Sequence, residues 1–340
     1  MKCCCANCFG DRYLKREVIP KLTTGVGECS YCGSQDQQLV EPSALRDSFE
    51  LLVSIYSHDN DGRPLVEWFK NDWAMFEHEQ MDHAHAKELL ADILDDGEIV
   101  RLNFKPSKFY RTDALDGWEG LRSELMHENR FFPETDFDIA QLVEFLPHLE
   151  YDLVDLQLIW YRARLQEIDA PFSASEMGAP PKLRASHGRA NPAGIPYLYL
   201  ASNAATAISE IRPHTGELAS VAEFSVPDDL KIVDLRDPRR TVSPFKLDEE
   251  DSLELLRGGI GFLEKLGDEL TRPVLPQSAA VHYIPTQYLC EFVKRQDYDG
   301  VMYRSSVGDG VNVALFYPEK ATVGVVTQRR VSRVSVELDG

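Results

Sequence analysis

The spacing of apolar residues changes character twice along the chain. Between about residues 40 and 150 it is helical. "SALRDSFELLVSIYSH" sets Leu45, Phe49, Leu52 and Ile55 on one face, with Ser43 placed to cap the first turn. "PLVEWFKNDWAMF", "AHAKELLADIL" and "FDIAQLVEFLPHL" repeat that texture, which predicts a helical bundle. From about residue 155 short runs rich in β-branched residues and bounded by turn residues replace it. "LQLIWYRARL", "IPYLYLA", "ASVAEFSV", "LKIVDL", "GVMYRS", "NVALFY" and "ATVGVVT" read as strands. "NAATAISEI", "EEDSLELLRGGIGFLEKL" and "TQYLCEFVKRQ" read as the helices between them. The first 35 residues show neither period and are punctuated by cysteine and glycine. The pattern therefore predicts a multidomain chain: a head at 1–35, an α-helical domain at 36–150, an α+β domain at 151–330 and a tail at 331–340. One turn is expected at Gly62 in "HDNDGRP". Its aspartates look like the start of a calcium loop, but the later ligands of such a loop are missing.

A length of 340 residues suits two or three domains with sizeable cores. No apolar run reaches the length of a membrane span, and the start "MKCCCANCFG" lacks the apolar stretch of a secretory leader, so a cytoplasmic protein is expected. The formal net charge of −20 opposes general nucleic-acid binding. Screening over about 8 Å still leaves room for a local basic pocket and a small anionic ligand.

Charge changes the picture less than cysteine does. Cys5 and Cys8 form one C-x-x-C pair, and Cys29 and Cys32 a second. Two such knuckles offer four thiolates to one tetrahedral ion, so a structural Zn2+ site is expected, in preference to redox chemistry. Cys3 or Cys4 could stand in for Cys5. Gly10, Gly27 and Gly33 suit the tight turns such knuckles need. Cys290, alone in "PTQYLCEFVK", reads as a buried apolar residue.

The richest stretch for chemistry is "GRANPAGIPYLYLASNAATAISEIRPH", residues 188–214. It carries no Walker loop and no G-x-G-x-x-G fingerprint. Strand alternation sends Tyr197 and Tyr199 to one face and Leu198 and Leu200 to the other. Ser202 or Asn203 then caps a helix with Glu210 about two turns in, while Arg189 sits in a Gly- and Pro-punctuated loop, free to reach inward. Gly188, Arg189, Asn191, Gly194, Pro196, Tyr199 and Glu210 in this order resemble the RES domain. Ser305 and Asn312, in "YDGVMYRSSVGDGVNVALF", and Arg162, in "IWYRAR", extend the likeness over roughly residues 155–325. Ala190 and His187 depart from the usual pattern around the motif arginine.

The resemblance implies an ADP-ribosyltransferase-like fold and an NAD+-degrading toxin or defence effector, with an antitoxin or other regulatory protein as partner and self-association as a homodimer. It implies Glu210, Arg189 and Ser305 as catalytic residues, and Arg162, Arg189, Tyr199, Asn191 and Asn312 as the residues that bind NAD+. Arginine forks suit a pyrophosphate, a tyrosine ring suits nicotinamide, and a carboxylate suits a ribose cation. Water as acceptor makes a glycohydrolase, a protein side chain an ADP-ribosyltransferase, and phosphate a phosphorylase. A pocket that binds NAD+ without turning it over is the reading of another class.

The helical region also resembles a HEPN-type domain, in which Arg122 and His127 of "RSELMH" would be the ribonuclease pair, but a non-catalytic sensing or interaction role is expected in preference to RNA cleavage. His78, Asp82 and His85 fall along one helix face and are read as a solvated face in preference to a metal site.

Overall fold

The computed structural model describes residues 2–107, 114–151, 157–275 and 277–335. The last five residues of the expected tail lie outside them. The chain divides into two compact units, one of residues 1–115 with 238–262 and the other of residues 116–237 with 263–340.

In the first unit the cysteine-rich head is pinned by a small ladder, β1 (Gly25–Gly27) against β2 (Gln37–Leu39), and by a bridge between Cys4 and Val40. The helices Arg46–Ser54, Leu65–Trp73 and His83–Leu94 follow. Phe9, Phe49 and Phe69 are buried among them, with ring centroids 5.5 Å and 6.3 Å apart in succession. The later segment 238–262 contributes Phe245, 5.1 Å from the Phe49 ring, and Arg257, 3.6 Å from the Asp72 carboxylate. Asp82 caps the helix His83–Leu94 by accepting from the Ala84 and His85 amides.

Two local expectations need correction. Ser43 caps nothing, because Pro42–Leu45 forms a 3-10 turn and the helix begins after it, at Arg46. The "HDNDGRP" stretch is part of a strand, β3 (Tyr56–Pro64), paired irregularly with β4 (Asn103–Pro106). A Cβ on Gly62 would lie 2.1 Å from the Phe104 carbonyl, so close backbone approach, and no ion, accounts for the glycine. The helical region thus contains a β-ladder that the apolar periodicity did not announce.

In the second unit, helices Ala114–His127 and Ile139–Phe145 precede a seven-stranded mixed sheet. Its strands are β5 (Ile159–Leu165), β6 (Leu198–Ala201), β7 (Leu218–Ser225), β8 (Ile232–Asp234), β9 (Gly300–Arg304), β10 (Val311–Leu315) and β11 (Thr322–Arg330), in the order β11-β7-β5-β6-β10-β9-β8. Only the β8–β9 pair is parallel. Alternation sorts the side chains. Trp160, Leu198, Leu200, Phe224, Met302, Val313 and Leu315 share one buried cluster. Tyr199, Tyr303 and Asn312 project to the other face. The helix Ala204–Glu210, capped by Asn203 through the Thr206 amide, covers part of that second face with Ala207 against Ala163, Ala201 and Val221.

One irregularity matters most. β5 runs beside β7 for seven residue pairs, yet meets β6 at the single pair Tyr161–Ala201. The two strands then diverge, which opens the sheet beside Tyr199.

Candidate active site and a four-cysteine cluster

The opening in the sheet leads to a cavity of about 430 Å³, a size typical of small-molecule sites. Among its lining residues are Arg162, Arg189, Tyr199, Glu210 and Asn312, which come from three stretches of sequence, the middle one supplying Arg189, Tyr199 and Glu210.

Arg162 leaves the middle of β5, and its Nη1 donates to the Tyr199 carbonyl of β6, 3.1 Å away, across the gap. Its Nε is buried without any partner. Burial pushes the guanidinium pKa down to about 10, with the like charge of Arg164 second in effect. The group still carries its proton at neutral pH. A depression of that size costs the folded chain about 3 kcal/mol. A buried cation with an idle N–H and no carboxylate beside it is poised for an anion from outside.

Arg189 is held differently. Its Nη1 donates to the Arg272 carbonyl at 2.6 Å, and its Nη2 lies 3.4 Å from Ser306 Oγ. The guanidinium also stands 5.3 Å over the Tyr283 ring. The loop that carries Arg189 is fastened from behind. Thr286 Oγ1 donates to the Arg189 carbonyl at 2.5 Å, and Gln287 Nε2 donates to the Gly188 carbonyl at 2.8 Å. Gly188 cannot be larger, since a Cβ there would sit 2.5 Å from the Tyr199 hydroxyl and 2.2 Å from Asn191 Oδ1.

Tyr199 closes the same loop. Its hydroxyl donates to Asn191 Oδ1 at 2.7 Å and accepts from the Ala190 amide at 3.0 Å. Asn191 is buried, and its amide nitrogen is aimed at the Ser186, Pro192 and Ile195 carbonyls. This residue holds the loop together and does not line the cavity. Burial pushes the Tyr199 and Tyr303 phenols above their ordinary value, so both rings face the cavity uncharged.

Glu210 lines the same cavity from the end of its helix. Oε1 accepts from Ser305 Oγ at 2.7 Å and from Asn312 Nδ2 at 2.5 Å. Both bonds fall on one oxygen, which leaves Oε2 for a ligand. Ser305 therefore acts through Glu210 and is not among the residues lining the cavity, whereas Asn312 does both. The Ser305 turn is tight: a Cβ on Gly310 would lie 2.3 Å from Thr206 Oγ1. The site thus sets two guanidinium groups and one oriented carboxylate around a tyrosine-lined space. Such a space can grip a diphosphate at one end and face a developing cation at the other.

The sequence reading missed Tyr161, Tyr283, Tyr303 and Ser306, all lining residues. Tyr161 and Tyr303 could have been found, since each stands within two positions of a motif residue. Tyr283 lies far from any motif and gave no signal.

In the first unit, Cys5, Cys8, Cys29 and Cys32 are buried with their sulfurs all within 4.8 Å of one another. Cys5 Sγ is 3.5 Å from Cys32 Sγ, and Cys8 Sγ is 3.3 Å from Cys29 Sγ. Four thiolates on one tetrahedral zinc would stand about 3.8 Å apart, so the set fits that ion. Hydrogen bonds among the sulfurs push the Cys29 thiol below its ordinary range and those of Cys5 and Cys8 above theirs, so one proton-free sulfur is shared within the set. Cys4 is outside the cluster, aimed at the Val40 carbonyl. Cys290 is buried, as the sequence predicts.

Neither rival site assembles. Arg122 Nε lies 3.3 Å from Glu269, while His127 is exposed five residues further along the same helix, about 140° around it. Asp82 Oδ1 is the cap described above and also meets His85 Nδ1 at 2.8 Å, whereas His78 lies against Ser34. Among the described residues, the four cysteines are the one group arranged to hold a metal.

A family model described as the RES domain matches residues 159–338. Among solved structures, the crystal structure of the M. tuberculosis MbcT–MbcA toxin–antitoxin complex aligns at 14% identity over 57% of this chain and 94% of that one, with a TM-score of 0.34. No curated protein matches the chain.

Proposed function

The chain belongs to the RES domain family, and from that premise we propose that it cleaves the bond between nicotinamide and ribose in NAD+, acting as a toxin or defence effector. The observation that carries this reading is the carboxylate of Glu210, oriented by Ser305 and Asn312 in the wall of a cavity that also holds two arginines. Arg162 and Arg189 would take the pyrophosphate, Arg162 through an N–H that has no partner within the protein. The tyrosine rings would lie along the nicotinamide and its ribose.

The chemistry balances without a general acid. The C1′–N bond breaks with both electrons going to the ring nitrogen, so nicotinamide leaves neutral. The ribose is left with an oxocarbenium charge, which Glu210 stabilises. Water adds at C1′ and gives up a proton, for which Oε2 is the available acceptor. The products are nicotinamide and ADP-ribose. A protein side chain or phosphate in place of water would give ADP-ribosyl transfer or phosphorolysis from the same pocket.

The four-cysteine cluster would hold a structural Zn2+, with no part in this chemistry. The proposed boundaries remain a head at 1–35, a helical region at 36–150 and the NAD+-cleaving domain at 151–330. A regulatory protein that covers the mouth of the cavity would restrain the activity.

The test is NAD+ consumption by the full, zinc-loaded chain, with nicotinamide and ADP-ribose resolved, beside Glu210→Gln and Arg189→Ala. Turnover lost in both variants is expected. Unchanged turnover in Glu210→Gln would refute the assignment. Saturable NAD+ binding without products would leave a sensing module instead.

A further inference from the structure

A second concavity, of about 350 Å³, lies in the first unit beside the first cysteine knuckle. Its lining includes Arg12, Lys15, Arg16 and His78, with Asn7 and Asp11. The local charge contradicts that of the chain, which carries 56 acidic against 36 basic residues. Here three cations stand beside one carboxylate, and of the three Arg16 is already engaged within the protein.

Most cations of this unit have found an acid. Lys2 pairs with Glu88, Lys21 lies 3.0 Å from Glu17, and Arg46 lies 3.1 Å from Asp95. The side chains of Arg12 and Lys15 have no hydrogen bond or ion pair among the described residues. Asp11 does not answer them, because it is buried and its Oδ1 accepts from the Leu14 amide at 2.8 Å. Asn7 is engaged with Ser34 at 3.3 Å, and His78 Nδ1 accepts from the Gln80 amide at 3.2 Å. Lys15 and Arg16 are carried on a short π-helical turn, Leu14–Val18, with Arg12 two residues before it, and the chain entering this segment turns at Gly10, where φ is +77°. Such turns recur at functional sites because they bring side chains together that an α-helix would spread.

We infer that this concavity binds a small phosphate-bearing anion, separate from the cavity around Glu210. Arg12 supplies a planar fork for two phosphate oxygens, and Lys15 and Arg16 supply charge beside it. The small volume of the concavity favours a compact ligand. The net charge of −20 disfavours a long polyanion, which would meet acidic surface beyond the pocket within a few screening lengths. Ala6 and Asn7, between the two sulfurs of the first knuckle, form part of the wall, so the site's shape depends on the cysteine cluster.

The experiment is calorimetric titration of the full, zinc-loaded chain with pyrophosphate at fixed ionic strength. It uses an Arg162→Ala background that also carries Arg189→Ala, so that the other cavity does not compete. Saturable binding is expected, weakened ~10-fold or more when Arg12→Ala and Lys15→Ala are combined, with circular dichroism and zinc content unchanged. Absence of binding in that background would overturn the inference, as would binding that ignores the Arg12 and Lys15 substitutions. Tighter binding of a single-stranded oligonucleotide through the same residues would replace the small ligand with a nucleic acid and equally overturn it.

Discussion

The four-cysteine cluster and the cavity around Glu210 both orient polar groups before a ligand arrives, but they solve the problem of charge in opposite ways. The cluster gathers like groups: four sulfurs are buried within 4.8 Å, and what would relieve their repulsion is a cation at their centre. The cavity keeps opposite charges apart. Glu210 is oriented by hydroxyl and amide donors rather than by an arginine, and Arg162 and Arg189 are steadied by carbonyl oxygens rather than by carboxylates. A direct Arg–Glu bridge would engage both groups with each other and leave neither for a ligand. A site that serves structure closes on its ion, and a site that serves turnover leaves its charges uncommitted.

The contrast can be broken most forcefully at the cluster. Chelation, or Cys8→Ser, is expected to remove about 10 kcal/mol of folding free energy from that region, seen as a lost or strongly lowered calorimetric transition. An unchanged thermogram, with zinc release followed by a chromogenic chelator, would show that the sulfurs need no ion. At the cavity, Glu210→Gln keeps the shape and the Ser305 contact but removes the charge. Turnover should fall by about 10²–10³-fold with binding of NAD+ little changed, as a kcat effect.

Arg162 sharpens the comparison because its two effects should have opposite signs. Arg162→Met removes a buried charge and its idle N–H, so the thermal midpoint should hold or rise while NAD+ affinity falls by about 10²-fold. Loss of both would mean that the arginine is part of the fold rather than of the site. The pH dependence follows from the same burial. The folded pKa of about 10 lies below the ordinary 12.5, so the charged form is penalised in the fold. That penalty is complete below pH 10 and is relieved as pH climbs from 10 toward 12.5, where the unfolded chain holds more protons. Ligand binding, which needs the cation, should be flat through neutrality and decline as pH passes 10.

The smallest effect is expected at Tyr199→Phe, which keeps the ring and loses the hydroxyl that joins Asn191 to the Ala190 amide. A stability loss of about 1–2 kcal/mol, with a modest rise in KM, is the expected outcome in denaturant titration and steady-state kinetics.

Local pattern carried much of this protein. Each of the seven strands of the main sheet overlaps a run that the sequence marked, although β7 and β10 begin one residue early and β11 runs on to Arg330, and the two C-x-x-C pairs marked the cluster. Ser43 and Gly62 misled because a 3-10 turn and a strand irregularity use the same residue types as a helix cap and a loop. The segment 238–262 could not be assigned to the first unit from sequence, since its Phe245 and Arg257 meet partners almost two hundred residues away.

What the sequence determined by itself is whatever depends on near neighbours: strand alternation, a helix cap at Ser202 or Asn203, the knuckle spacing and the order of the motif residues. The tertiary structure decided the rest. It chose Cys5 over Cys4 by tying Cys4 to Val40, set Asn191 and Ser305 behind the residues they support, and separated Arg122 from His127. It also opened β5 from β6 to make room for Arg162 and brought Tyr283 to the cavity. These outcomes rest on which long-range hydrogen bonds and packed faces can be satisfied together, and no short window of residues contains both partners of such a bond.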